Sequence, residues 1–144
     1  MKKIFLLILS IVVALVIITG ISFCSWYMWR SHSPGIVANA QIDIDASEIF
    51  SLQEIESAVE VVKETFASQR DSWNELAYIQ YNEAQSINRI RRNGWDENDT
   101  ILLFITYYRI RDLGREVFDV PWFYVLHRDS PSDSWEVRSQ GKII

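Results

Sequence analysis

The apolar positions of this chain change their pattern near residue 30. From Ile4 to Phe23, twenty consecutive positions carry no charged side chain. At about 1.5 Å rise per residue, a helix of that length spans the ~30 Å hydrocarbon core of a bilayer. Two lysines precede this run and an aromatic cluster follows it, at Lys2, Lys3, Trp26, Tyr27 and Trp29. The pattern predicts a transmembrane helix over residues 4–29 that contacts the lipid bilayer and keeps its basic end in the cytoplasm.

The length of the run favours a retained anchor over a cleaved signal. A secretory signal has an apolar stretch of about 7–15 residues with a small-residue cleavage site close behind it. Here the small residues Ala38 and Ala40 lie well beyond Phe23, and Ala40 is seventeen positions away. We predict a single-pass cell-membrane protein with its C-terminal domain outside. The alternatives are secretion after cleavage near Ala40 and a lipid anchor on Cys24, which lacks the small preceding residue of a lipobox.

Composition then shifts at a turn-rich spacer. We predict an anchor at residues 1–30, a linker with a candidate edge strand at 31–46, and one extracytoplasmic domain at 47–144. In the linker, Ile42 and Ile44 alternate with aspartates, which is typical of an edge strand or an extended lead-in. The roughly one hundred residues that follow are enough for one domain with its own core.

Helical spacing begins at a capping box. Ser51 is followed three positions later by Glu54, and apolar residues then recur every three or four positions up to Phe66. This predicts a helix over residues 52–68. The opposite side of that helix is charged, so we expect it to lie on a sheet with one side in water.

Shorter segments with a period near two follow the long helix. They predict a strand at 76–81, a short helix at 83–93 that ends at Gly94, a strand at 101–110, a polar connection at 111–119, and a hairpin of 122–128 with 135–138. The first half of the 101–110 strand is apolar on both faces, so we expect it to be covered on both sides. The predicted fold is α+β, with the long helix packed on a curved antiparallel sheet behind the transmembrane helix.

Cysteine and charge exclude several classes of site. Cys24 is the only cysteine, so the chain has no intrachain disulfide and no cysteine-based zinc site. Two of the 14 Lys and Arg residues precede the apolar run, which leaves 12 against 19 acidic residues, or 12 − 19 = −7. A net-acidic domain argues against binding to nucleic acid.

Residue chemistry gives no cofactor or metal signature. His127 has no second histidine or cysteine near it in sequence, which favours a structural or surface histidine over a catalytic base. The acidic loop 96–99 lacks the glycine and the glutamate that an EF-hand requires at its sixth and twelfth positions. We therefore expect no cofactor, no metal and no catalytic residue.

Four short motifs resemble a known group of proteins. They are Val-Lys-Glu-Thr-Phe at 62–66, Gly-Trp-Asp-Glu at 94–97, Val-Leu-His-Arg-Asp-Ser at 125–130 and Trp-Glu-Val at 135–137. Together they resemble small exported or membrane-anchored domains of unknown function from Gram-positive gut bacteria. The resemblance covers residues 51–141 and implies a cystatin-like or NTF2-like fold. It implies no catalytic residues, and segment 111–120, with one glycine, replaces the Gly-rich insertion of those domains.

Four aromatic residues indicate a candidate binding surface. Tyr107, Tyr108, Trp122 and Tyr124 lie on neighbouring predicted strands, near the mouth where a cone-shaped α+β fold leaves a concavity. Aromatic side chains also fill protein cores, so packing is the competing interpretation. We predict a membrane-tethered, non-catalytic module that binds a ligand or a protein partner at the cell surface. The alternatives are an NTF2-like small-molecule enzyme, which needs a carboxylate with a perturbed pKa beside Tyr107 or Tyr124, and a cystatin-like inhibitor.

Overall fold

The computed structural model describes residues 2–111 and 114–142. In chain order, its elements are α1 (Lys2–His32), β1 (Gln41–Ile44), α2 (Leu52–Gln69), β2 (Asn74–Tyr81), α3 (Glu83–Arg92), β3 (Thr100–Arg111), β4 (Gly114–His127) and β5 (Glu136–Lys142). The chain divides into two compact units, Met1–Ser33 and Pro34–Ile144. The predicted α+β class is confirmed.

The first unit is the apolar helix α1. It contains a 25-residue span, Ile8–His32, in which an 18-residue window has a mean hydropathy of 2.6. Within it, the hydroxyls of Thr19 and Ser22 donate to the carbonyls of Leu15 and Ile18, one turn earlier, at 2.9 and 2.8 Å. These bonds satisfy the two hydroxyls inside the helix, as an apolar surrounding requires. The helix is long and apolar enough to cross a membrane, and a signal sequence has the same properties.

The second unit is built on one five-stranded sheet with the strand order β1-β2-β3-β4-β5. Strands β2 to β5 pair antiparallel, which confirms the predicted meander at the C-terminal end. In contrast, β1 pairs parallel with β2, with Ile42 beside Ile79. The prediction of a wholly antiparallel sheet is therefore wrong. The helix α2 crosses between β1 and β2 and returns the chain in its original direction, which makes two adjacent strands parallel.

The helix α2 has the predicted start and packs on one face of the sheet. The Ser51 hydroxyl accepts the N–H of Glu54 at 3.3 Å, and the Glu54 carboxylate accepts the N–H of Ser51 at 2.7 Å, so the capping box is confirmed. Its apolar side is buried, at Ile55, Ala58, Val59, Val62 and Phe66. It packs against sheet residues that include Leu76, Ile79, Ile101, Leu103, Ile105, Tyr124 and Leu126. We call this side of the sheet the α2 face.

The helix α3 covers part of the opposite side, which we call the α3 face. The Ser86 hydroxyl accepts the N–H of Leu102 at 3.1 Å in a buried position. The Arg89 guanidinium lies 4.4 Å from the ring centroid of Phe123. Gly94, with φ of +69°, lies just beyond the helix as predicted. The first three apolar residues of β3 are buried, so the predicted cover on both of its faces is confirmed.

The strand β4 is longer than the sequence predicts. The segment 111–119 was expected to be a polar connection, but β4 begins at Gly114 and pairs with β3 from there. That prediction is wrong because β3 is long enough to pair with residues 114–119. Their sequence lacks the alternation of polar and apolar residues that would have predicted a strand. Pro121 lies within β4 opposite a register shift between Ile105 and Tyr107. A bulge is a position where the missing N–H of proline is tolerated.

A buried ion pair joins the start of α2 to the β4–β5 hairpin. Arg128 Nη2 lies 2.7 Å from Glu54 Oε1, and the two side chains are 5% and 30% exposed. The guanidinium lies 4.5 Å from the ring centroid of Trp135 and 5.7 Å from that of Phe50. Trp135 Nε1 donates to the carbonyl oxygen of Glu54 at 3.0 Å. We call these four residues the Arg128 cluster.

Candidate functional site

Three of the four aromatic residues that the sequence nominates lie on the α2 face. Tyr124 is part of the core there, and Tyr107 and Trp122 pack against that core while staying partly exposed. Tyr108 follows Tyr107 in β3 and lies on the α3 face, because successive side chains of a strand alternate between faces. The structure therefore brings Tyr107, Trp122 and Tyr124 together and separates Tyr108 from them.

Arg70 organises this aromatic group, although the sequence analysis did not select it. It is the C-cap of α2, and its N–H donates to the Phe66 carbonyl oxygen at 3.0 Å. Its guanidinium lies 5.2 Å from the ring centroid of Tyr107 and 5.5 Å from that of Trp122. Both distances are within the range of cation–π contacts. The end of α2 thus places a cation against two aromatic rings of the sheet.

A polar pocket of about 230 Å³ opens beside this cation. We call it the Arg70 pocket, and its lining residues are Gln69, Arg70, Asp71, Asn74, Tyr107 and Arg109. Its carboxylate, Asp71, accepts hydrogen bonds from Asn74 Nδ2 at 2.6 Å and from the N–H of Trp73 at 3.2 Å. Two guanidinium groups and one carboxylate give the lining a formal charge of +1. That sign is opposite to the charge of the whole chain.

The aromatic side of the site contributes neutral polar groups. Tyr124 is 1% exposed, and burial raises the pKa of its phenol to about 12, with Arg70 acting in the opposite direction. Tyr124 is therefore a neutral phenol at physiological pH. Trp122 Nε1 is buried and has no hydrogen-bond partner within the described part of the chain. An N–H donor is thus left unused on the ring that Arg70 contacts.

This arrangement suits binding of a planar anion. A guanidinium presents its N–H groups in a fixed fork that matches a carboxylate in a bidentate pair. Stacking on aromatic rings restricts the rotamers of Arg70 and so reduces the entropy lost when an anion binds. Arg109, exposed on the neighbouring strand, adds positive charge at the same opening. The Arg70 pocket therefore has the chemistry of a carboxylate-binding site.

The other candidate residues have local partners. His127 Nδ1 lies 3.4 Å from Thr100 Oγ1, and its Nε2 lies 3.6 Å from Asp129 Oδ1. In the acidic loop, Asp96 accepts the N–H of Asn98 at 2.9 Å. Within residues 2–111 and 114–142, no three His, Cys, Asp or Glu side chains come together as a metal site. His127 and Asp96 therefore each have a polar neighbour within the fold.

Comparisons with protein-family models, with curated proteins and with solved structures give no match to this chain. Fold alone does not define function, because one fold hosts many activities. The chemistry of the Arg70 pocket is therefore the basis for assigning a function.

Proposed function

We propose that the protein is a membrane-tethered, non-catalytic binding module whose Arg70 pocket binds a carboxylate group of a ligand outside the cell. The observation that carries this proposal is the contact of the Arg70 guanidinium with Tyr107 and Trp122 beside an open polar pocket. A carboxylate bound there would be held by Arg70, with Arg109 supplying a second positive charge. The aromatic rings would exclude water from one side of that ion pair.

The start of the second unit supports a retained anchor. The N–H of Gly35 donates to the Ala67 carbonyl at 3.0 Å, and the N–H of Ile36 donates to the Asn74 carbonyl at 2.9 Å. Cleavage near Ala40 would remove both bonds and expose the backbone groups that they satisfy. A chain that keeps this segment is therefore more stable than one that loses it. The lysines before α1 favour a cytoplasmic N-terminus and hence an outside domain.

The two alternative functions receive less support from the geometry. An enzyme would need an acid or base beside Tyr107, and the carboxylate that lines the pocket, Asp71, already accepts two hydrogen bonds. A cystatin-like inhibitor would need a hairpin loop shaped to enter a cleft. The β4–β5 loop is closed on itself instead, because the Ser130 hydroxyl donates to Asp133 at 2.8 Å.

Binding is tested on the full-length chain in nonionic detergent micelles. Succinate and its uncharged diamide are titrated while tryptophan fluorescence is recorded. We expect saturable binding of succinate alone. Arg70→Gln should weaken that binding by at least about tenfold, since a charge-assisted hydrogen bond contributes ~1.5–3 kcal/mol. Arg92→Gln is the matched control, because Arg92 is an exposed arginine at the end of α3 and should bind as the original chain does. Equal affinity of the Arg70 variant, or no saturable binding of succinate, contradicts the proposal.

Tethering is tested separately by protease accessibility on intact cells that express a C-terminally tagged chain. A full-length membrane-bound product whose tag is removed from outside is the expected result. A shortened product in the medium would indicate cleavage near Ala40, and a protected tag would place the domain in the cytoplasm.

A further inference from the structure

The strand β1 leaves one edge of the sheet open. Among the described residues its only neighbour in the sheet is β2. The N–H of Asp45 donates to the Tyr81 carbonyl at 3.1 Å, so Asp45, and by the two-residue repeat Asp43, direct their backbone groups towards β2. The backbone groups of Ile42 and Ile44 therefore point away from the sheet. Two donors and two acceptors are open to a further strand.

A groove of about 570 Å³ runs between this open edge and α2. It is lined by Ile42, Ile44, Glu56, Ser57, Val59 and Glu60. Its apolar part includes Ile42, which is 45% exposed. Its other part is acidic, because Glu56 and Glu60 are one helical turn apart on α2. Lys63 pairs with Glu60 at 2.7 Å and neutralises it only in part, because the Glu60 side chain remains 65% exposed.

The chain segment that supplies this groove carries most of the negative charge of the domain. Residues 41–69 contain seven acidic and one basic residue, or 1 − 7 = −6. Residues 70–144 contain twelve acidic and ten basic residues, or 10 − 12 = −2. Pairing of β1 with β1 of a second copy would bring like charges together and is disfavoured. The occupant that complements this edge is an extended segment with positive charge.

We propose that the β1 edge binds a lysine- or arginine-rich extended segment of a partner protein as a sixth strand of the sheet. The backbone groups of Ile42 and Ile44 supply the strand pairing, which gives affinity without sequence readout. Basic side chains of the bound segment on the α2 face would pair with Glu56 and Glu60. Basic side chains of the segment on the α3 face would lie near Asp43. This surface shares no residue with the Arg70 pocket, so the two proposals stand or fail independently.

The test uses the full-length chain in nonionic detergent micelles and a blocked, fluorescent peptide of alternating lysine and valine. The same lysine–valine peptide with every backbone nitrogen methylated has the same charge but no backbone N–H to donate, so it controls for electrostatic attraction alone. Binding is followed by fluorescence anisotropy, and amide hydrogen exchange is read at Ile42 and Ile44. We expect the lysine–valine peptide to bind and to slow exchange at both amides.

Charge reversal tests the acidic side of the groove. The double variant Glu56→Lys/Glu60→Lys should weaken binding about tenfold, an effect that added salt reduces. Glu64→Lys is the control, because it reverses one charge at an exposed position of α2 outside the groove. Equal binding of the two peptides, unchanged exchange at Ile42 and Ile44, or equal losses in both charge variants would overturn the proposal. Concentration-dependent protection of these amides without peptide would also overturn it, since a second copy would then cover the edge.

Discussion

Replacing Glu54 by glutamine removes the anion of the Arg128 cluster and leaves its cation in place. The Arg128 side chain is only 5% exposed. Removal of one partner from a buried ion pair destabilises a protein by ~3–5 kcal/mol, because an uncompensated charge stays buried. Glutamine keeps a hydrogen-bond acceptor, so we expect a loss near the lower limit, about 3 kcal/mol.

Replacing Arg128 by methionine should destabilise the domain less. The carboxylate that remains is 30% exposed and keeps its hydrogen bonds from Ser51, so its charge is partly solvated. We expect a loss of about 1–2 kcal/mol, mostly from lost stacking and hydrogen bonds. The double variant Glu54→Gln/Arg128→Met contains no buried charge. It should therefore be more stable than Glu54→Gln alone by ~1 kcal/mol or more.

Urea unfolding of the full-length chains in detergent micelles measures these differences by tryptophan fluorescence. Glu64→Gln is the control, because Glu64 is exposed on the same helix and its replacement should change stability by less than about 0.5 kcal/mol. If the double variant loses the sum of the two single losses, Arg128 is not held as a buried cation that depends on Glu54. Burial of the ion pair would then not determine how much it contributes to stability.

Three further measurements test other parts of the structure. Hydrogen bonds from Ser51 hold the pKa of Glu54 below its ordinary 4.5. The ionised carboxylate therefore contributes fully to stability above about pH 4.5, and this contribution is lost as pH falls through the folded-state pKa. Urea unfolding in acid should show the stability difference between the original chain and Glu54→Gln shrinking over that range. Gly35→Ala should cost ~1–3 kcal/mol in urea unfolding, because a Cβ there would lie 3.1 Å from the ring of Phe66, whereas unchanged stability would mean that this contact relaxes freely. Burial raises the pKa of Tyr124 from an ordinary 10.0 to about 12, so ultraviolet titration should show one phenol that ionises at higher pH than the others. The free energy of unfolding should fall as pH rises from 10 to 12, because Tyr124 ionises first in the unfolded chain. Ionisation of this phenol near pH 10 would contradict its burial.

Local sequence signals account for the elements that were predicted well. The start of α2 is fixed within one turn by Ser51 and Glu54, so a short window contains all the information. The start of β4 is set by pairing with β3, which a window around Gly114 does not contain. The direction of β1 depends on the crossover through α2. The hydrophobic pattern therefore predicts which segments form helices and strands. Pairing between distant segments determines where a strand begins and whether it is parallel to its neighbour.

The candidate site was accessible to sequence reasoning only in part. Aromatic enrichment selected Tyr107, Trp122 and Tyr124, whose binding role stays a prediction. Neighbouring residues of a strand lie on opposite faces, so the two-residue period of the predicted strand already separates Tyr108 from Tyr107. In the sequence, nothing distinguishes Arg70 from other polar residues that follow a helix. Its significance arises only when the end of α2 packs beside strands that follow much later in the chain.

The parallel pairing of β1 has a consequence for the order of folding. Ile42 pairs with Ile79, 37 positions later, whereas β3, β4 and β5 are joined to one another by short connections. Contacts between distant residues form later than hairpins, because they require closure of a longer loop. During synthesis β1 emerges first, yet we expect it to join the sheet last. Until then the edge of β2 is unpaired. In the folded domain, β1 is the strand that can detach from the sheet at the lowest cost in free energy.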